Sequence, residues 1–338
     1  MLGGDVEAVA VNSATAGLHL ALEALDIGPG DEVLVPTWTF TATAEVVRYL
    51  GAEPVLCDVD PVTLNLDLED AARRVTSRTR AVMPVHFAGQ AMSPTAIADF
   101  ATTHGLAVVE DAAHALPARS EGQLVGGGTS EATVFSFYAT KTMTTGEGGM
   151  LVTRDSEIAR RARVMRLHGI SRDAFDRYRS TAPAWRYEVV APGFKYNLTD
   201  PAAAMGRVQL RRASQMRDRR AAIGAAYDDA FGTMDIEIPP GSRIDGEHSW
   251  HLYVVRLPRG RDRDAFINRG SELGVSTSVH FIPLHLHPYW SERFSMVPGD
   301  LPVAASEFER VVSLPIFSSM SDAQVEHVID SVTKVLAE

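Results

Sequence analysis

The sequence predicts an α/β protein in which helices cover a mostly parallel sheet. Short apolar, β-branched runs alternate with helical patterns from residue 7 onwards, which is typical of strands joined by crossover helices. Several runs are apolar throughout, as expected for strands that are buried on both faces. The length of 338 residues also allows a large domain and a smaller one.

The apolar runs that predict strands are, in order, VEAVAV, DEVLVP, EPVLCDV, RAVMPVHF, LAVVED, ATVFSF and GGMLVT. Between them lie stretches with helical periodicity, such as TAGLHLALEAL, TATAEVVRYLG and PTAIADFATTHG. We expect this alternating part to belong to a large α/β domain of residues 1–214.

Beyond GGMLVT the pattern changes. Residues 200–231 predict one long helix, and residues 215–338, with the apolar stretches WHLYVVRL and STSVHFIPL, predict a small C-terminal α+β domain. Residues 171–190 have no clear period and predict a surface flap. Its arginine and tryptophan side chains suit the phosphates and the base of a nucleotide diphosphate; they include Arg177, Arg179 and Trp185.

Composition excludes several classes of protein. The net charge of −11 argues against nucleic acid or an anionic membrane as a partner. No apolar stretch is long enough for a transmembrane helix, and the first residues show no signal-peptide pattern. Cys57 is the only cysteine, so no internal disulfide can form. We therefore expect a cytoplasmic protein.

Three positions suggest chemistry at the carboxyl ends of the strands, where α/β sheets bind ligands. Lys141 follows VFSF in a chain with only three lysines among its 32 basic residues; a desolvated amine there can form a Schiff base with an aldehyde, although a solvated surface lysine is the alternative. Asp111 ends LAVVED and can pair with a protonated ring nitrogen, or else cap a helix. Ser13 can cap a helix whose first turn admits a phosphate. An aldehyde, a pyridinium nitrogen and a phosphate together indicate pyridoxal 5′-phosphate.

The motifs SATAG, GDEVLVPTWTFTATA, EDAAHALPA, FSFYATKTMTTGEGG, LHGI, PGFKYNLTD, WHLYVVR and HFIPLH make the chain resemble the DegT/DnrJ/EryC1/StrS sugar aminotransferases. The resemblance implies the fold type I (aspartate-aminotransferase-like) architecture of pyridoxal-phosphate enzymes. It is greatest to the branch that aminates C4 of nucleotide-linked 4-keto sugars, such as the UDP-4-amino-4-deoxy-arabinose aminotransferase. Members of this family usually have a further segment before the point that matches Met1, so substrate contacts from that segment are not assigned.

The resemblance also implies roles for individual residues. Lys141 is expected to bind the cofactor covalently, and Asp111 its ring nitrogen. Phe40, rather than its neighbour Trp38, is expected to stack on the ring. The remaining expected cofactor contacts are His114 beside the ring, Thr15 and Ala16 through their amides, Ser136 through its hydroxyl, and Asn197 from the partner subunit of a homodimer with shared active sites.

Further residues are candidates for substrate contacts. His280 and His285 are expected to form walls of a sugar pocket; with His287 their spacing matches no closed zinc site, so no metal is expected. Lys195 and Glu147 are candidate sugar or phosphate contacts, with surface and turn roles as the alternatives.

The expected reaction is transamination of a nucleotide-linked keto-deoxysugar, at C4, with L-glutamate as the amino donor. Pyridoxamine phosphate carries the nitrogen between the two halves of the reaction. Relatives that dehydrate their sugar have histidine in place of the lysine, so Lys141 favours amination. The alternatives are amination of a C3-keto sugar or of an inosose-type cyclitol, or a regulatory relative that binds the cofactor without turnover. The bias to arginine is typical of GC-rich genomes, in which such enzymes often serve antibiotic or surface-glycan sugars.

Overall fold

The computed structural model describes residues 1–171, 187–242 and 246–338. Most of the expected flap, with Arg177, Arg179 and Trp185, lies outside the described residues. The described strands are β1 (Glu7–Val11), β2 (Glu32–Pro36), β3 (Glu53–Cys57), β4 (Thr79–Val82), β5 (Ala107–Asp111), β6 (Arg119–Ser120), β7 (Gln123–Leu124), β8 (Ala132–Ser136), β9 (Gly149–Thr153), β10 (Tyr253–Arg256) and β11 (Val311–Leu314).

The described α-helices are α1 (Ala14–Ala24), α2 (Ala42–Tyr49), α3 (Leu68–Arg74), α4 (Pro94–His104), α5 (Ser156–Met165), α6 (Asp200–Phe231), α7 (Arg263–Glu272), α8 (Pro288–Phe294), α9 (Pro302–Phe308) and α10 (Asp322–Ala337). Helix α6 occupies the range that its sequence pattern predicts. Among these helices, none combines the length and the apolar character needed to cross a membrane.

The seven apolar runs predicted as strands form one seven-stranded sheet, in the order β1-β9-β8-β5-β4-β2-β3. Strands β3, β2, β4, β5 and β8 run parallel, and β9 is antiparallel to both of its neighbours. Strands β2 and β8 are buried along their whole length, because helices cover both faces of the sheet. The mostly parallel α/β architecture is confirmed.

This topology determines where the candidate site lies. The carboxyl ends of β2, β5 and β8 point to the same edge of the sheet. Asp111 is the last residue of β5, and Ser136 is the last of β8. The loop after β2 carries Phe40, and the loop after β8 carries Lys141. Residues far apart in the chain are thereby brought to one edge.

A second hydrophobic core is formed by residues that follow the main sheet in the sequence. It packs α6 and α10 against the antiparallel pair β10–β11, and the buried side chains of α6 begin only at Ala213. The strand that pairs with β10 is Val311–Leu314, which the sequence analysis did not single out. The apolar stretch 276–284 contributes only a bridge between Ser278 and Ser313. The boundary between residues 214 and 215 stays a prediction.

Candidate active site

A cavity of about 550 Å³ lies at the carboxyl edge of the main sheet. It is lined by many of the residues predicted from the sequence, namely Thr15, Phe40, Asp111, His114, Ser136, Lys141, Glu147 and His280. Segments from both cores contribute to the lining, because His251 and His280 come from the C-terminal part of the chain. The fold therefore concentrates titratable side chains in one place.

Lys141 lies in the loop between β8 and β9, with its Nζ 3.4 Å from Nε2 of His251. Burial lowers the pKa of its amine from 10.5 to about 8, and the nearby Asp111 carboxylate opposes that change. Desolvation disfavours the ammonium form, so a larger fraction of the amine is neutral near pH 7. A neutral amine is the form that attacks a carbonyl carbon.

Asp111 is held in one orientation by donors on both carboxylate oxygens. Its Oδ2 accepts a hydrogen bond from Oγ1 of Thr43 (2.8 Å), which in turn is 2.7 Å from Oγ1 of Thr39. Its Oδ1 accepts one from the amide of Ala113 (3.0 Å). No helix begins here, since residues 112–118 form turns, and this excludes the helix-capping alternative. Asp111 is only 6% exposed yet lines the cavity, so its carboxylate is suited to a cationic ring atom.

Three imidazoles surround the amine. The rings of His114 and His251 are buried, with centroids 4.2 Å apart, and Nδ1 of each is buried without a hydrogen-bond partner among the described residues. Nδ1 of His280 lies 2.9 Å from Oγ of Ser313. Burial, followed by the neighbouring Lys141, lowers the pKa of His114 and of His280. Burial, followed by His114, lowers that of His251. The imidazoles are therefore neutral near pH 7.

The amino end of α1 faces the cavity through Ser13, Ala14 and Thr15. Oγ of Ser13 accepts a hydrogen bond from the amide of Ala16 (3.1 Å). In this structure the Ala16 amide is engaged in the helix cap and Ala16 does not line the cavity; its expected contact with the phosphate stays a prediction. A Cβ added at Gly149 would lie 2.7 Å from the carbonyl carbon of Ser13, so glycine is required where β9 meets this end of α1. A helix amino end of this kind favours an anion such as phosphate.

The two aromatic candidates occupy different environments. Phe40 lines the cavity and is 59% exposed. Its ring centroid lies 6.0 Å from that of Phe281, which also lines the cavity. Trp38 is fully buried and donates its indole N–H to the carbonyl of His280 at 3.0 Å. Trp38 therefore supports the wall, whereas Phe40 has a face available for a planar ring.

The remaining predicted residues lie in several places. Ser136 is buried at the cavity wall, where its Oγ accepts a hydrogen bond from the amide of Tyr138 (3.3 Å). Glu147 is exposed at the rim. Lys195 is exposed, and neither it nor Asn197 lines the cavity of its own chain. Asn197 forms an isolated bridge with Val11 at the edge strand β1.

His285 does not line the cavity either, in contrast to the expectation that it forms a wall. Its ring is 1% exposed, and its Nδ1 lies 2.8 Å from Oγ1 of Thr37 behind β2. The physical reason is the chain turn at residues 284–286, where the amides of Leu284 and His285 donate to Thr37 and draw this segment into the core.

Sequence reasoning missed three residues at the cavity or behind it. His251 contacts the amine of Lys141, Phe281 adds a second aromatic face, and Thr43 orients Asp111. His251 lies in WHLYVVR and Phe281 in HFIPLH, two motifs that the resemblance already contains. Thr43 lies in the motif after β2, and its hydroxyl acts from the first turn of α2.

The donor set of the cavity fits pyridoxal phosphate on the structure's own evidence. The buried Asp111 carboxylate, the amino end of α1 and the Lys141 amine all line this cavity. The aromatic face of Phe40 and the unpartnered Nδ1 of His114 complete a site for a planar, polar ring. The volume of about 550 Å³ lies in the ordinary range for cofactor and ligand sites.

Known proteins are similar to this chain over nearly its whole length. The spore coat polysaccharide biosynthesis protein SpsC of Bacillus subtilis (strain 168) is 46% identical over 337 residues, which are 98% of this chain and 86% of SpsC. The sugar aminotransferase Spr1654 from Streptococcus pneumoniae, in its PMP form, superposes with a TM-score of 0.90 at 31% identity, over 98% of this chain and 88% of that one. Its PLP form superposes with a TM-score of 0.89.

A third similar structure is S. venezuelae DesV in complex with a ketimine intermediate. Its TM-score is 0.89 at 35% identity, over 98% of this chain and 85% of that one. These likenesses confirm the fold type I architecture and pyridoxal phosphate as the cofactor. The family model of the DegT/DnrJ/EryC1/StrS aminotransferases matches residues 2–333. The chain is therefore a pyridoxal-phosphate-dependent aminotransferase and belongs to the DegT/DnrJ/EryC1/StrS aminotransferase family.

Proposed function

We propose that the chain transfers an amino group from L-glutamate to C4 of a nucleotide-linked keto-deoxysugar. The observation that carries the amino transfer is the placement of the Lys141 amine in one cavity with the Asp111 carboxylate and the amino end of α1; burial lowers the pKa of this amine to about 8, which suits it to attack a carbonyl and to carry a proton. The names of the relatives support the sugar, since SpsC is a spore coat polysaccharide biosynthesis protein and Spr1654 a sugar aminotransferase.

The cofactor, when bound, supplies the electron-withdrawing ring that stabilises negative charge at the reacting carbon. Asp111 is the proposed partner of the ring nitrogen, because its carboxylate faces the cavity and is fixed by Thr43 and Ala113. Phe40 would support one ring face. The amides of Ala14 and Thr15 at the start of α1, and the Ser136 hydroxyl, would hold the phosphate.

Lys141 is the proposed proton carrier of the reaction. Once its amine is free, it can take a proton from one reacting carbon and return it to another, which is general acid–base catalysis. The pKa of about 8 suits both directions near neutral pH. His251, 3.4 Å from this amine, is placed to orient it. His280 and Glu147 line the same cavity and are proposed substrate contacts. Lys195 does not line the cavity of its own chain, so it would contact the substrate only from the partner subunit.

The proposed active form is a cytoplasmic homodimer with shared sites. Asn197 does not line the cavity of its own chain, and its position beside the edge strand β1 allows it to reach a neighbouring subunit. The test of this part is the mass of the protein in solution, together with mixing of Lys141→Ala and Asn197→Ala chains. Shared sites predict partial recovery of activity in the mixed dimers, because one of the two sites regains both residues.

The first experiment is an absorbance spectrum of the purified protein before and after L-glutamate. The wild type is expected to show the visible band of a lysine-bound cofactor and to lose it when glutamate is added. Lys141→Ala is expected to lack the band, and Lys195→Ala serves as the matched control that retains it. An identical spectrum for wild type and Lys141→Ala would show that Lys141 does not bind the cofactor.

The second experiment identifies the acceptor. Glutamate-treated enzyme is mixed with 4-keto and 3-keto nucleotide sugars and with an inosose, and recovery of the visible band is measured. Recovery with only the 4-keto sugar supports the proposal, whereas recovery with a 3-keto sugar or the cyclitol would assign one of the alternatives. A protein that binds the cofactor but whose visible band responds to no amino donor would be a regulatory relative.

A further inference from the structure

A second cavity, of about 710 Å³, also has Lys141 in its lining. It lies between the middle of α6 and the loop that follows β11. Three arginines of α6 line it, and none of the described residues that line it is acidic. This is unusual in a chain with a net charge of −11. The polar lining consists mainly of Arg212, Gln215, Arg219, Arg220, Ser318 and Ser319.

Arg220 is the best-buried cation of this cavity, at 4% exposure. Its Nη1 donates to the carbonyls of Trp250, His251 and Ile316, and its Nε donates to Oγ of Ser318. No carboxylate among the described residues lies within ion-pair distance of this guanidinium, and burial lowers its pKa to about 10. A buried cation compensated only by neutral groups favours binding of an anion.

Two further arginines extend the positive charge towards the rim. Arg219 donates to the carbonyl of Met320 and pairs at 2.8 Å with Asp322, which is 86% exposed. Arg212 is exposed and has no ion-pair partner among the described residues. Residues seven and eight apart lie on the same face of a helix, so Arg212, Arg219 and Arg220 present one basic surface to the cavity.

We propose that this cavity binds a carboxylate of the dicarboxylic amino donor and of the keto acid formed from it. The inference rests on the proposed function and names the subsite that distinguishes a dicarboxylate from other amines. Guanidinium groups bind carboxylates through paired, charge-assisted hydrogen bonds. Lys141 lines this cavity as well as the first one, so an acid bound here lies beside the reacting amine.

Arg220 also links this subsite to the catalytic amine. Its guanidinium holds the carbonyl of His251, and the ring of His251 lies 3.4 Å from Nζ of Lys141. For this reason Arg220 is unsuitable as the first variant, because its loss would also disturb the support of His251. The test therefore uses variants of Arg212 and Arg219.

The experiment uses the holoenzyme and measures loss of the visible band at increasing L-glutamate. Arg212→Gln and Arg219→Gln are each expected to raise the half-saturating glutamate concentration about 10- to 100-fold, as loss of a charge-assisted hydrogen bond predicts. The maximal rate is expected to change little. Arg217→Gln is the matched control, since Arg217 lies on the same helix but pairs with Asp218 and Glu247 outside this lining.

A second readout needs no turnover. Binding of glutarate, a dicarboxylate without an amine, is measured by calorimetry on the same holoenzymes, and it is expected to weaken in both cavity variants but not in the control. If only binding of inorganic pyrophosphate weakens, the cavity serves the phosphates of the sugar substrate and the inference is overturned. Unchanged glutarate binding in both variants overturns it as well. A wild type that binds glutarate but does not respond to glutamate would refute the proposed function while leaving the anion site supported.

Discussion

The pKa of Lys141 is the property of this structure from which catalysis follows, and it can be measured directly. Burial lowers it from 10.5 to about 8, a difference that corresponds to about 3 kcal/mol against the ammonium form. At pH 7 about one amine in ten is then neutral, compared with about one in three thousand at the ordinary value. Because the Asp111 carboxylate raises this pKa, Asp111→Asn is expected to lower it further.

The assay is available because the chain has few lysines. Reductive methylation of the cofactor-free protein with ¹³C-formaldehyde labels Lys141, Lys195 and Lys334, and nuclear magnetic resonance then follows each methyl signal with pH. Lys141→Ala assigns its signal. Glu147→Gln is the control for Asp111→Asn, since Glu147 lines the same cavity but is not among the causes of the pKa change.

The same pKa predicts a pH dependence of folding. Between pH 8 and 10.5 the unfolded chain holds the Lys141 proton more tightly than the folded one does, so the free energy of unfolding rises with pH across this window. The gain is up to about 3 kcal/mol and disappears in Lys141→Ala. A titration midpoint for Lys141 near 10.5, or a higher midpoint in Asp111→Asn, would refute the electrostatic description of the site.

Two further substitutions test the support of the site. Thr43→Val removes the hydroxyl that donates to Asp111 at 2.8 Å, and loss of a hydrogen bond to a charged group predicts cofactor binding weaker by about 1.5–3 kcal/mol, measured as the dissociation constant. Gly149→Ala places a Cβ 2.7 Å from the carbonyl carbon of Ser13; overpacking of this kind predicts a loss of about 1–3 kcal/mol in unfolding free energy, measured by denaturant titration. Unchanged values would show that these contacts are dispensable.

The main sheet was predictable because its strands are short apolar runs that are buried on both faces and separated by helical patterns. The second sheet was not, because β10 pairs with Val311–Leu314, about sixty residues away, and the apolar stretch 276–284 was an equally good candidate by pattern. Val311–Leu314 is distinguished from residues 276–284 as the partner of β10 only by the packing of α6 and α10 against β10 and β11.

The site, too, contains residues that could be predicted from the sequence and residues that could not. Lys141 and Asp111 follow apolar runs, so their place at the sheet edge could be predicted from topology alone. The role of Ala16 does not follow from the sequence, because its amide donates to the hydroxyl of Ser13 and a helix cap competes with a ligand for the same donor. His251 was missed because its contact with Lys141 joins residues 110 apart in sequence, and no periodicity reports such a contact.

The neutrality of the imidazoles and the low pKa of the lysine have a common origin. His114, His251 and Lys141 are all largely buried beside this cavity, and the positive charge of Lys141 lowers the pKa of both histidines. Asp111 supplies one negative charge, which is enough to compensate one cation. The first proton added as the pH falls therefore goes to Lys141, and its charge then opposes protonation of the two histidines. A proton arriving at this cluster is thus directed to the amine that must carry it, while His251 remains a neutral hydrogen-bond acceptor 3.4 Å from this amine.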